Sequence, residues 1–208
     1  MLDLFQKGGV VMYPLLACSL VSLTIIIERG LFWIQEKRHT DNLLVNEVLE
    51  LARLQKHQEI KAKVKGATDY AVRVLVCGLV HQEYSLSKAM EMAAMEEIKR
   101  MRRYLPVLDT VITASPLLGI LGTVLGIIHS FDMLGTAGIQ DPQAVTSGIA
   151  QALITTAAGL VIAIFTLFPY NYFMTKVERA GTRIEKYATS LEIVCGQDKQ
   201  GQDNQGQE

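Results

Sequence analysis

Gln151, Thr155 and Thr156 stand within one stretch that has no charged residue between Asp141 and Lys176. In hydrocarbon, a hydroxyl or an amide costs free energy unless another polar group or water faces it. A second uncharged run, Thr110 to Ile128, carries Thr113, Ser115 and Thr123, with Asp109 just before it and His129 just after. Residues of these types suit one chemistry: hydrogen bonding that solvates a carboxylate, an ion or a water chain in a low-dielectric path. Only Asp109 and His129, at the two ends, could ionise, so any carboxylate at mid-membrane depth would have to come from another chain. Asp109 could equally pair with a basic group at the membrane interface, and His129 reads as an interfacial side chain.

Other chemistries lack their residues. Cys18, Cys77 and Cys195 form no CxxC or His-linked pattern, so neither a disulfide nor a metal site is implied. No glycine-rich phosphate loop is present, because the glycines of the second run lie in mid-membrane. No catalytic group and no cofactor are expected. The basic cluster Lys99 to Arg103 reads as an orientation signal and a contact for anionic lipid, not as a nucleic-acid site.

The elements that must hold these residues follow from length. Crossing a hydrocarbon core takes roughly 20 apolar residues in a helix. Val10 to Ile27, Thr110 to Ile128 and the run before Lys176 all qualify, which predicts an all-α membrane protein with three transmembrane helices. Of the 20 Lys and Arg, fourteen lie between Arg29 and Arg103 and five follow the third run. The positive-inside bias then places the N-terminus outside and the C-terminus inside. The expected division is 1–34 for the outer N-terminus and first span, 35–103 for a cytoplasmic helical region, 104–134 for the second span, 135–141 for a short outer loop, 142–175 for the third span, and 176–208 for a cytoplasmic helix and tail. "LLAC", Leu15 to Cys18, looks like a lipoprotein cleavage box, but the apolar run continues past Cys18 to Ile27, which favours an uncleaved span.

Within the cytoplasmic region, Leu86, Met90, Ala94, Ile98, Met101 and Leu105 recur at steps of three and four, so the helix of the second span should begin well below the membrane. Residues 41–65 and 69–82 read as two further helical pieces split at Gly66. The final "GQDKQGQDNQGQE" has no apolar periodicity and reads as disordered.

At 100° per residue, the third span gathers Gly148, Gln151, Ala152, Thr155, Thr156, Gly159, Ala163 and Thr166 on one small, polar arc. The second span has two stripes. Asp109, Thr113, Pro116, Thr123 and Ser130 form a polar one, while Ser115, Gly119, Gly122 and Gly126 form one of small residues that lets helix backbones approach closely. Oligomer formation through these two spans is expected. If Asp141 caps the third helix and Pro142 opens it, antiparallel counting brings Thr123 and Thr156 within about one turn of each other. A threonine that bonds only its own helix is the competing reading for each.

"SPLLGILGTVLGIIHSF" followed by "GIAQALITTAAGL" closely resembles the MotA/TolQ/ExbB family of ion-driven energy-transducing subunits, in its three-span ExbB and TolQ branch. "IER" (Ile27 to Arg29) and "LDT" (Leu108 to Thr110) add to the likeness, which covers most of the chain. The resemblance implies an inner-membrane subunit that assembles as a ring, usually a pentamer, around the helices of a dimeric ExbD- or TolR-like single-span partner. Proton flow there would drive a TonB- or TolA-like protein, and the partner's aspartate would supply the missing carboxylate. Thr123 and Thr156 match the family's pore-lining threonines. Gln151 departs from the pattern: the family often has Glu there, and an amide cannot titrate.

An ion pathway of Thr123, Thr156, Thr155, Gln151 and Asp109 is thus expected, with Ser115, Gly119, Gly122, Gly126 and Gly159 as packing residues. A TolQ-like role, a purely structural membrane scaffold and a stand-alone channel are the alternatives. The missing mid-span carboxylate speaks against the last.

Overall fold

The computed structural model describes residues 8–64, 66–137 and 142–205, with side chains described for these except 57, 61, 83, 134–137, 142–145 and 197–205. Among the described residues every regular element is helical: α1 (Met12–Arg38), α2 (Asn42–Arg53), α3 (His57–Lys63), α4 (Tyr70–Val80), α5 (Gln82–Met101), α6 (Leu105–Ala137) and α7 (Pro142–Gln205). Three of them, α1, α6 and α7, contain stretches long and apolar enough to cross a membrane. The chain divides into two compact units, one of Met1–Gly30 with Tyr104–Phe173, the other of Leu31–Arg103 with Met174–Glu208.

The first unit contains the spans. Along α6 the buried positions are Leu105, Leu108, Val111, Ser115, Gly119, Gly122, Gly126 and Ser130, a continuous stripe at steps of three and four. On α7 the matching stripe is Gly148, Ala152, Thr155, Gly159, Ala163 and Thr166. The opposite faces leave Leu117, Val124, Leu153, Leu160, Ile164 and Phe168 exposed. So much exposed apolar surface is the outside of a body that sits in lipid or against further helices. Pro116 and Pro169 lie inside α6 and α7; such prolines are tolerated in membrane helices, where neighbours satisfy the freed backbone groups. Arg29 of α1 is 3% exposed. Its guanidinium pairs with Glu28 and lies 5.7 Å from the centre of the Tyr104 ring, so the charge of the "IER" motif is neutralised and covered.

The second unit is built around α4, whose residues are almost all apolar. Val72, Val74 and Leu75 are fully buried, with Val45 and Val48 from α2 and Met90 from α5. Asp69 caps α4 by accepting from the Ala71 amide at 2.8 Å. Only 1% exposed, it also accepts from the Asp41 amide at 2.8 Å and from both terminal nitrogens of Arg183, at 3.0 and 2.9 Å. Arg183 in turn donates to Asn42 at 3.0 Å and stacks over Tyr70, 4.9 Å from its ring centre. One carboxylate therefore ties together the entry to α2, the start of α4 and the later part of α7. Burial pushes the Tyr70 phenol up, more than the nearby Arg183 lowers it, so this ring stays neutral against the guanidinium.

Several boundaries differ from the sequence reading. The helix leading into the second span is not continuous: α5 ends at Met101 and α6 starts at Leu105. Between them Tyr104 takes a left-handed conformation (φ 66°), and Pro106, in the first turn of α6, is the local mark of the new start. The segment expected as one helix over 41–65 is two, α2 and α3, separated at Gln55, also left-handed (φ 55°). α6 runs on to Ala137, past the expected end at 134, and α7 stays helical through Gln205 where a disordered tail was expected. Glycines at 196 and 201 each weaken a helix by only about 1 kcal/mol, and no proline follows them. The expected Asp141 cap and most of the expected 135–141 loop lie outside the described residues.

Candidate ion-pathway helices

The two polar spans meet along their small residues, backbone against backbone. A Cβ placed on Gly119 would lie 2.9 Å from the Thr156 Cα and 3.1 Å from the Thr155 carbonyl oxygen. On Gly126 it would lie 2.9 Å from the Gly148 carbonyl oxygen and 3.1 Å from the Ala152 Cβ, and on Gly159 it would overlap the Ser115 carbonyl. Real Cβ atoms do not come that near to backbone, so these positions accept only hydrogen. Gly122 faces the Thr155 side chain, and Gly148 faces the Ser130 hydroxyl. Ser115, Gly119, Gly122, Gly126 and Gly159 are thus brought together between α6 and α7 of one chain.

The hydroxyls divide by partner. Thr156 Oγ1 donates across the seam to the Gly119 carbonyl at 3.0 Å. Thr155, 1% exposed, donates to the Ala152 carbonyl of its own helix at 2.8 Å. Thr123 is half-buried and donates to the Ile120 carbonyl at 2.6 Å, one turn along α6 from Gly119. The Thr156 and Thr123 oxygens each keep acceptor capacity. Ser115 is fully buried, and its hydroxyl has no hydrogen-bond partner among the described residues. These polar atoms sit in a span that contributes no mid-depth charge of its own.

Not every expected member joins them. Ser130 belongs to the buried small stripe, four residues beyond Gly126, and not with Thr123; its hydroxyl donates to the Gly126 carbonyl at 2.9 Å. Counting Ser130 in steps of four from Gly126, instead of seven from Thr123, would have placed it correctly. Asp109 and Thr113 are exposed, away from the α6–α7 contact. Gln151 is half-buried, and its amide packs against Gly9. Gly9 has a left-handed backbone (φ 70°) and no room for a Cβ beside that amide. No local pattern in the sequence linked residues 9 and 151.

The tightness of the seam gives a direct expectation. Gly126→Leu has to push α6 away from the Gly148 carbonyl, and overpacking of this kind costs about 1–3 kcal/mol. The thermal midpoint of the protein in detergent should fall by several degrees; an unchanged midpoint would show that the two helices do not meet at this face.

Comparison with known proteins agrees with this architecture. Residues 68–186 match the model of the MotA/TolQ/ExbB proton channel family. The biopolymer transport protein ExbB-like 3 of Synechocystis sp. is 38% identical over 197 residues, covering 91% of this chain and 92% of its own. ExbB-like 1 of the same organism is 37% identical over 200 residues, with 93% and 78% covered. The Tol-Pal system protein TolQ of Haemophilus influenzae is 28% identical over 222 residues, with 91% and 92% covered. A three-span helical chain with a glycine-packed second and third span, matched over most of its length by ExbB-like and TolQ proteins, belongs to the MotA/TolQ/ExbB proton channel family, in its ExbB and TolQ branch.

Proposed function

We propose that the chain is an inner-membrane subunit of a complex driven by the proton motive force, with its N-terminus outside and its C-terminus inside. Copies of it would form a ring, as a pentamer, around the membrane helices of an ExbD- or TolR-like single-span partner, and the complex would power a TonB-type transporter system. The observation that carries this reading is the α6–α7 pair: a sealed seam with two threonine hydroxyls, Thr123 and Thr156, half-buried at its edge and no carboxylate of its own at that depth. Such an edge can solvate a carboxylate supplied by a neighbour, in its charged or neutral form. Asp109, exposed near the start of α6, would face the cytoplasmic mouth of the path. Thr155, with its hydroxyl bonded inside the pair, would hold the wall in place, and Gln151 would set the outer end against Gly9.

A TolQ-like role in the Tol-Pal envelope system is the second reading, favoured by a TolQ relative matched over as much of the chain as the ExbB-like ones. Co-expression with a single-span partner that carries an intramembrane Asp, followed by mass measurement of the complex and proton flux in vesicles, tests the common part of both. Flux should require the partner and its Asp. A ring of this chain that conducts alone would overturn the proposal.

The orientation has its own test. A cysteine at position 58 should be shielded from an impermeant thiol reagent in spheroplasts, while one at position 138 should react. The reverse pattern would invert the topology.

A further inference from the structure

Glu36 lies on the charged extension of α1, well past Ile27 where the uncharged run ends, yet it is only 7% exposed. Its Oε2 accepts from Arg100 at 3.1 Å. Its Oε1 is 4.0 Å from the Arg73 guanidinium and has no hydrogen-bond partner among the described residues. Both arginines give their better contacts to Glu97: Arg73 donates to it twice, at 2.7 and 2.9 Å, and Arg100 stands 3.0 Å away. One turn before Glu36, the indole nitrogen of Trp33 is also buried without an acceptor among the described residues. A donor and an acceptor are thus left unmet on successive turns of one helix face. A buried carboxylate with one oxygen unserved is the member of such a cluster whose charge is held least well.

We propose that Glu36 is a proton-binding site, separate from the path between the spans, whose occupancy sets how firmly the extension of α1 is held against α4 and α5. The groups facing it are Arg100 and Glu97 from α5, and Arg73 and the capping Asp69 from α4; Lys37 and Arg38 follow it on its own helix. Burial opposes the charge of Glu36 more than either Arg100 or Arg73 supports it, and with Glu97 and Asp69 adding to the opposition its proton is held above the ordinary carboxylate range. The sign follows from linkage. A carboxyl that binds its proton more tightly when buried favours the buried arrangement when protonated, and that contribution is lost as pH rises through the raised value. Acidification tightens this contact and alkalinisation loosens it, while Glu97 keeps both arginines in either case.

Trp33 is the only tryptophan in the chain, so its emission reports on this site without a label. For the full chain in detergent, Trp33 emission should show a one-proton step with a midpoint above 4.5, the unperturbed value. Glu36→Gln should remove the step and His39→Gln should leave it. Hydrogen exchange of residues 31–38, corrected for its intrinsic pH dependence, should be slower on the acid side of the step. Should Glu36→Gln not fold, infrared difference spectra of the parent protein decide: a protonated-carboxyl band that titrates with the emission step supports the site, and its absence overturns it. A step that survives Glu36→Gln, a step removed by His39→Gln, a midpoint at or below the unperturbed value, or faster corrected exchange on the acid side would each overturn the proposal.

Discussion

Asp69→Asn should unfold or loosen the second unit more than any other single change considered, by about 3–5 kcal/mol, the usual cost of leaving one member of a buried ion pair unmatched. Asparagine can keep the oxygen that caps α4, but its NH2 group then stands where the other oxygen accepts from the Asp41 amide, so the loss combines the charge with one backbone hydrogen bond. Arg183 would remain between Tyr70 and Tyr187, with Asn42 as its remaining acceptor. Denaturation followed by helical circular dichroism measures the effect. A double variant that also replaces the arginine, Asp69→Asn with Arg183→Met, should recover part of the loss, because no uncompensated charge is then buried. A single variant as stable as the parent would reduce the pair to a surface contact.

The second large effect concerns transport. In the proposed complex, Thr123→Val with Thr156→Val keeps the shape of both side chains and removes both hydroxyls. Losing a hydrogen bond to a charged group costs roughly 1.5–3 kcal/mol. Carried into an activation barrier, that slows proton flux by about ten- to a hundredfold. The geometry adds a control, since Thr156 also bonds the Gly119 carbonyl. A hydrogen bond between membrane helices is worth about 0.6 kcal/mol on average, so the double variant should assemble and melt nearly as the parent does. Flux measured at matched assembly then separates the two roles: normal flux would leave both threonines as packing residues only. Gln151→Ala, which removes an amide that packs on Gly9, should disturb flux less.

What was legible in the sequence depended on how local its cause is. Three uncharged runs of the right length announce three spans, because crossing hydrocarbon is a property of each segment alone. The buried face of α7 was legible for the same reason: Gly148, Ala152, Thr155, Gly159, Ala163 and Thr166 are close-packing residues at helical spacing, and no other face of that helix is so small. Antiparallel counting across a short loop also sets α6 against that face. Which stripe of α6 makes the contact was not legible: its glycines do, with Thr123 at the edge. The break at Gln55 carries no compositional mark, because a left-handed residue that is not glycine is held there by tertiary packing; the break at Tyr104 had one in Pro106, a helix-start signal that the strong apolar periodicity across it masked. The Asp69–Arg183 pair spans 114 residues of sequence. Only the folded chain brings its members together.

A seam of small residues also carries little information about its own register. If α6 slid along α7 by one turn, about 5.4 Å, Gly126 would stand at Thr155 and Gly122 at Gly159, and small residues would still meet small residues. Steric fit alone therefore does not distinguish neighbouring registers. The hydroxyl of Thr156 does, because only in the observed register does its proton meet the Gly119 carbonyl. In the proposed complex the same side chain would act as an index mark for the two helices and as a solvating group for the neighbour's carboxylate, so that a slip of the wall and a change in that solvation would be one event.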